Sequence, residues 1–156
     1  MAPITNNSDN ITLEPAGLFA MLKTSPFVIS TIPSTWLAYH YQPLFIFLSI
    51  LLILFALYRY IFIRRAIYLV TPEYIRITTG ILFKRTDTVE LFRVKDYIIT
   101  QPLLLQLLNL MDLQLKTTDP ENPILWLRGI PQTNIIDTLR DRILQCRQYN
   151  NILEIN

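Results

Sequence analysis

The hydrophobic and polar positions divide this chain into two regimes. Between 44 and 63 runs LFIFLSILLILFALYRYIFI, with Ser49 its only small polar side chain and no charge before Arg59. A helix of this length spans about 30 Å, the thickness of a bilayer's hydrocarbon core. Leucine, isoleucine and phenylalanine cover every face, so the pattern predicts a helix whose solvent is lipid. Tyr58, Tyr60 and the pair Arg64-Arg65 supply the aromatic and basic trim of a membrane interface, and Arg59 is close enough to the end to snorkel. Upstream, 15–38 reads PAGLFAMLKTSPFVISTIPSTWLA, apolar again but carrying Lys23, Pro26 and Pro33. A mid-bilayer charge costs about 2.5–3.5 kcal/mol on the insertion scale, and each proline removes a helical hydrogen bond. The expectation is a short interfacial helix at 16–24, then an extended stretch along the membrane surface. A second span forming a hairpin is the alternative, and it places the amino terminus on the same side as the carboxyl-terminal half. Trp36, Tyr39 and Tyr41 form an aromatic belt before the main span. Residues 1–14, rich in Asn, Thr and Ser, read as disordered.

After Arg65 the period changes to two. A short apolar run at 66–70 leads to the turn Thr71-Pro72-Glu73. Tyr74-Ile75-Arg76-Ile77-Thr78 then alternates, with the isoleucines on one face and Arg76 on the other. Thr79-Gly80 predicts a tight turn, and 81–83 and 86–91 read as further strand. The alternation slips at Phe92-Arg93, marking a bulge or a new strand that runs to Thr100. Pro102 starts a short helix, LLLQLLNL. Met111, Leu113 and Leu115 alternate with Asp112, Gln114 and Lys116, the clearest half-buried strand in the chain. A turn at 119–123 precedes a strand at 124–127. Gly129-Ile130-Pro131 then leads into a helix over 134–149 whose apolar stripe is Ile136, Leu139 and Ile143. Consecutive antiparallel strands closed by one helix make a small α+β domain or split barrel.

Charge adds a direction. Of the 14 Lys and Arg in these 156 residues, 13 lie from Arg59 onward, although the net charge is only +2. The positive-inside rule therefore places the carboxyl-terminal side of the span in the cytoplasm and the amino-terminal side outside. The mean hydropathy of +0.32 is accounted for mainly by the span. Cys146 is the single cysteine, which suits a reducing compartment. No cleaved signal peptide is evident at the amino terminus, so the anchor is expected to be its own targeting signal. Asn6-Asn7-Ser8 and Asn10-Ile11-Thr12 match the glycosylation pattern, which matters only in a eukaryotic secretory pathway.

Candidate chemistry is sparse. His40, the single histidine, lies beside the membrane away from the folded domain. Cys146 has no histidine in its compartment to activate it. No Cys or His cluster has metal-ligand spacing, and with only Gly17, Gly80 and Gly129 there is no glycine-rich phosphate loop. Asp87, Glu90 and Asp112 read as solvated strand or turn positions. The chain is therefore expected to be no enzyme and to need no cofactor or metal. The basic residues Lys84, Arg85, Arg93 and Lys95 are candidate contacts for an anionic headgroup or a protein partner. Asp87, Glu90 and Asp96, interleaved with them, weaken that charge.

The spacing of several short motifs resembles a known family. Tyr68-x-x-Thr71-x-x-Tyr74-Ile75 is followed by Gly80-Ile81-Leu82-x-x-Arg85 and by Val89-x-Leu91-x-Arg93-Val94-x-Asp96. Leu105-x-x-Leu108 and Leu127-x-Gly129-Ile130-Pro131 come next, before the closing helix. Together, in this order over about 60–145, they resemble the bacterial pleckstrin-homology (PH) domain of membrane proteins of the YdbS and YdbT type. Pro33-Ser34-x-Trp36 and the preceding span are also similar to that type. Many relatives carry a two-span hairpin here, whereas this chain shows one convincing span. The resemblance implies two near-orthogonal antiparallel sheets with a helix closing one open end, and no assigned chemistry.

The expectations are these. The fold is α+β, an N-terminal transmembrane helix followed by a PH-like split β-barrel capped by a C-terminal helix. Residues 1–14 form a polar amino terminus, 15–42 an interfacial helix and aromatic segment, 43–65 the transmembrane helix, 66–149 the PH-like domain and 150–156 a tail. Trp36, Tyr58, Arg59, Arg64 and Arg65 mark the membrane interface. The protein is expected in the bacterial inner membrane as a single-pass interaction or scaffold module, a structural subunit of a membrane assembly. The alternative is a sensor of anionic lipid headgroups. Its partners are membrane lipids and other proteins of a membrane complex, or further copies of itself; nucleic acid is not among them.

Overall fold

The computed structural model describes residues 10–149. The tail at 150–156 and all but the last residues of the polar amino terminus lie outside the described residues. A short strand β1 (Ile11–Leu13) opens the chain, followed by two helices, α1 (Gly17–His40) and α2 (Phe45–Arg64). Strands β2 (Ile67–Val70), β3 (Tyr74–Thr79) and β4 (Arg85–Glu90) come next. A 3-10 turn at Leu91–Arg93 leads to β5 (Val94–Thr100) and the five-residue helix α3 (Leu103–Leu107). Strands β6 (Leu110–Thr117) and β7 (Ile124–Pro131) and the helix α4 (Ile135–Tyr149) complete the described residues.

Two antiparallel sheets, β1-β2-β3-β4 and β5-β6-β7, face each other. The alternation read in β3 and β6 is observed. Ile75, Ile77, Met111, Leu113 and Leu115 all point inward, where they meet Val89, Leu125 and Leu127. Helix α4 closes the open side with Ile135, Leu139 and Ile143 buried at fourfold spacing, while Ile136 is only half-buried. Leu139 and Ile143 are thus buried as expected, and Ile135 is the stripe's buried start, with Ile136 packed against the same core. Arginines of α4 reach both sheets: Arg142 donates to the Val70 carbonyl at 2.9 Å and Arg147 to the Val94 carbonyl at 2.6 Å. Both bonds tie the helix to carbonyls at the sheets' ends. This is the α+β architecture expected, with one apolar helix long enough to cross a membrane.

Three local expectations are corrected. Residues 11–13, expected to be disordered, form β1, with Leu13 opposite Tyr68 on β2. Three residues are too few to show a period, so only the partner strand defines this one. Residues 81–83, expected as strand, are the exposed loop between β3 and β4. Gly80 sets that loop: at φ +109°, an added Cβ would lie 2.0 Å from the Phe83 carbonyl oxygen, so the chain turns there as only glycine allows. The final strand also continues past 127 to Pro131.

The largest correction concerns 25–38, expected as extended and found as part of one continuous helix. Pro26 cannot donate to the Leu22 carbonyl, and Ser25 Oγ takes over that bond at 2.8 Å. Neighbouring hydroxyls are satisfied the same way, Ser30 Oγ by the Pro26 carbonyl at 2.7 Å and Thr35 Oγ1 by the Thr31 carbonyl at 2.7 Å. Helix α1 packs antiparallel on α2. Ser34 Oγ donates to the Phe45 carbonyl at 3.2 Å, Thr35 Oγ1 and Ser49 Oγ lie 3.2 Å apart, and Phe27 meets Phe55 edge to face. Because β1 precedes this hairpin, β2 follows it and the two strands pair, the chain returns to the end from which it left.

Candidate interaction surfaces

The joint between hairpin and sheets is built from residues that are unremarkable in sequence. β7 bulges against β6 between Met111 and Leu113, and Gly129 there adopts φ +64°. Asp112 Oδ1 accepts the Gly129 N–H at 2.7 Å, so this carboxylate has a structural role instead of the solvated one expected. The opened backbone lets Phe19 of α1 sit directly on Gly129, where a Cβ would meet the ring at 2.2 Å. Ala16 N–H donates to the Gly129 carbonyl at 2.9 Å, and Arg64 donates to the Pro15 carbonyl at 2.7 Å. Phe19 then forms a small core with Leu105 of α3 and Leu110, against which Ile63 of α2 packs. Arg64, expected to mark an interface, is thus also a clasp between the two helices' ends. Charge-assisted bonds of this kind are about twice as strong as neutral ones.

The other interface residues divide between the hairpin's two ends. Trp36 is exposed beside the α1–α2 connection, its ring 4.8 Å from His40 and 6.3 Å from Tyr41. Tyr58, Arg59 and Arg65 are exposed near the end that meets the sheets.

The four candidate contact cations do not converge. Register shows why. Thr78 lies opposite Ile67 and Thr79 opposite Arg85, so Lys84 and Arg85 are at the end of the first sheet where α2 arrives. Glu90 lies opposite Tyr74 at the other end, and Arg93 follows it directly. Lys95 is in the first turn of β5, beside Thr117, also at that far end. The length of β4, about 17 Å, separates the pairs. Arg85 bonds Asp87 and Arg93 bonds Glu90, each at 3.0 Å and each solvent-exposed, pairs of small energetic consequence.

At the far end a groove of about 460 Å³ runs between the β2–β3 turn and the last turns of α4, lined by Pro72, Glu73, Tyr74, Phe92, Cys146 and Tyr149 among others. The Cys146 thiol donates to the Pro72 carbonyl. Burial, and then the Glu73 carboxylate, push its pKa above the ordinary thiol range, so it stays protonated and unreactive near neutrality. Tyr68 shifts upward too, chiefly through burial; its hydroxyl accepts the Arg128 N–H. His40 lies a whole α1 length, about 36 Å, from the joint and cannot serve either group.

The family model for the bacterial PH domain matches residues 18–144. No curated protein and no solved structure gives a significant match. The chain belongs to the bacterial PH domain family. That membership defines a PH-like module of a kind that binds proteins or lipids. The match begins at residue 18, so it takes in the helical hairpin as well as the sheets.

The sequence missed Phe19, Asp112 and Gly129 as a joint, and missed the exposed tip Leu82-Phe83. The signal for the first was the glycine inside an otherwise apolar strand, the usual mark of a bulge or close approach. The signal for the second was Gly80 followed by apolar residues too few to complete a strand before Lys84-Arg85.

Proposed function

We propose that this chain is a non-catalytic, membrane-anchored interaction module of the YdbS and YdbT type, a structural subunit of a bacterial inner-membrane assembly. In this reading α1 and α2 both cross the membrane, and both ends of the chain face the cytoplasm with the sheets. The observation that carries it is the β1–β2 pairing with the Phe19–Gly129 joint, which fixes the PH-like domain to the hairpin. A domain held this way presents one constant face outward, and on that face lies the groove beside α4, suited to an extended peptide segment of a partner. The surface of the hairpin supports the crossing: apart from Phe19 at the joint, its buried residues are the small Ala20, Thr24, Ser34, Ser49 and Ala56, while most large apolar side chains point outward. Lys23 is exposed in the second turn of α1, near enough to the joint to snorkel.

Gentle extraction from the native membrane followed by native-mass analysis tests the assembly. A discrete complex containing other proteins supports it, and a monomer without partners sinks it. Reporter fusions at both termini test the crossing; reporters on opposite sides of the membrane would rule out the hairpin.

A further inference from the structure

We infer that the base of the PH-like domain is itself seated in the lipid leaflet, through two apolar projections on either side of the hairpin: the loop tip Leu82-Phe83 and the outer face of α3, Leu103, Leu104 and Leu107. The inference rests on α2 being a membrane span. Leu82 and Phe83 are 86% and 92% exposed, and Leu103 and Leu107 are 82% and 81% exposed. Large apolar side chains this bare, clustered at one end, mark a surface that something covers.

Both projections are placed at the same level by the fold. Thr78 is opposite Ile67, the first residue of β2, which only Arg65 and Ala66 separate from α2. The loop 80–84 continues beyond that level, and its tip begins at Leu82, three residues past Thr79, a reach of up to about 10 Å. Amphipathic segments enter the headgroup boundary by about 5–10 Å. On the other side, Leu105 is buried against Phe19, with Ile63 of α2's last turn packed on the same cluster. In a five-residue helix, turning Leu105 inward turns Leu103 and Leu107 outward, since each lies about 200° around the helix from it.

Lipid is the occupant the chemistry selects. The apolar tip is followed at once by Lys84 and Arg85, and Arg65 is exposed at the end of α2. Apolar residues backed by cations match an anionic leaflet, acyl chains below and phosphates at the level of the charges. The apolar surface is also continuous with the exposed side chains of α2's last turns, Ile61 and Phe62. The tip and α3 thus orient the domain on the bilayer, leaving the groove beside α4 facing away from it.

The test uses the full chain in vesicles of phosphatidylethanolamine and phosphatidylglycerol. Single-cysteine chains on a Cys146→Ser background carry an environment-sensitive dye at Phe83→Cys, Leu104→Cys, Leu51→Cys within α2, and Glu121→Cys in the far β6–β7 turn. The expected result is loss of emission at 83 and 104 to a shallow nitroxide lipid, at 51 to a deep one, and none at 121. Labels at 83 and 104 that behave like the one at 121 while 51 is quenched would overturn the seat and leave the span standing. A label at 51 that no nitroxide lipid quenches would instead remove the span, and the seat with it. Benzoylphenylalanine in place of Phe83, with Cys146 intact, should crosslink to phospholipid; adducts to protein alone, whether a second copy or another chain, would overturn the proposal.

Discussion

The hairpin and the β-domain are packed by opposite rules. Inside the domain, Leu113, Leu115, Leu127 and Ile75 are almost inaccessible, and the polar residues between them face out. Inside the hairpin lie Ala20, Thr24, Ser34, Ser49 and Ala56, and leucines and isoleucines face out. Water drives the first arrangement, since burying a leucine side chain removes apolar area from solvent at about 25 cal/mol per Å². In the proposed membrane setting lipid would offer no such gain, and helices there would associate through close backbone approach and hydroxyl bonds. The same amino acid therefore has different worth in the two halves.

The strongest challenge to that contrast compares two leucines. Leu127→Ala empties a fully enclosed core position and should destabilise the domain by about 2–5 kcal/mol. Leu51→Ala, on the exposed outer face of α2, should cost well under 1 kcal/mol on the proposed membrane reading, in which its side chain exchanges lipid for lipid. Denaturant unfolding of each variant in mixed micelles reads both, and equal losses would erase the distinction.

Gly129→Ala attacks the place where the two regimes meet. A left-handed backbone costs about 1–2 kcal/mol for a residue with a Cβ, and overpacking against Phe19 adds about 1–3. The loss should be about 2–5 kcal/mol, and Phe19→Ala in the same chain should recover part of the second contribution only. A double-mutant cycle measures that coupling; strict additivity would mean that the ring does not rest on the glycine.

Within the hairpin, Ala56→Leu inserts bulk where the helices touch and should destabilise their packing by about 1–3 kcal/mol, although it raises apolar content. Spin-label distances between α1 and α2 should lengthen. A stabilised hairpin would instead show that apolar bulk, not close fit, holds it.

The smallest expected effect is pH dependence at the far end. The folded chain holds the Cys146 proton more tightly than the unfolded chain does. Its contribution is complete below the ordinary thiol pKa and is lost as pH rises from there to the raised folded value. Tyr68 has the same sign at higher pH. Unfolding midpoints should fall across about pH 8–10, and Cys146→Ser should flatten the lower part of that fall. A flat profile in the unaltered chain would remove burial as the cause.

Much of the architecture was legible from periodicity, because burial on one face writes a period of two into β3 and β6 and an all-round apolar run into α2. The stripe of α4 was legible at Leu139 and Ile143, but Ile135 and Ile136 are chemically alike and only packing makes Ile135 the buried one. The contact cations were grouped by nearness in sequence, yet β4 carries Arg85 and Glu90 to opposite ends of a sheet. Register, which sets that separation, depends on the partner strand.

The amino-acid order by itself therefore determined the long apolar helix α2, the inward faces of the central strands and the closing helix, all of which rest on interactions within a few residues. The tertiary structure alone decided the rest. β1 exists because β2 offers it a partner, and α1 continues through two prolines because its own hydroxyls and the face of α2 compensate the lost bond. Gly129, Asp112 and Phe19 become a joint only when a bulge opens beneath a helix more than a hundred residues earlier in the chain. Contacts across such distances leave no local period, and so the sequence carries them without displaying them.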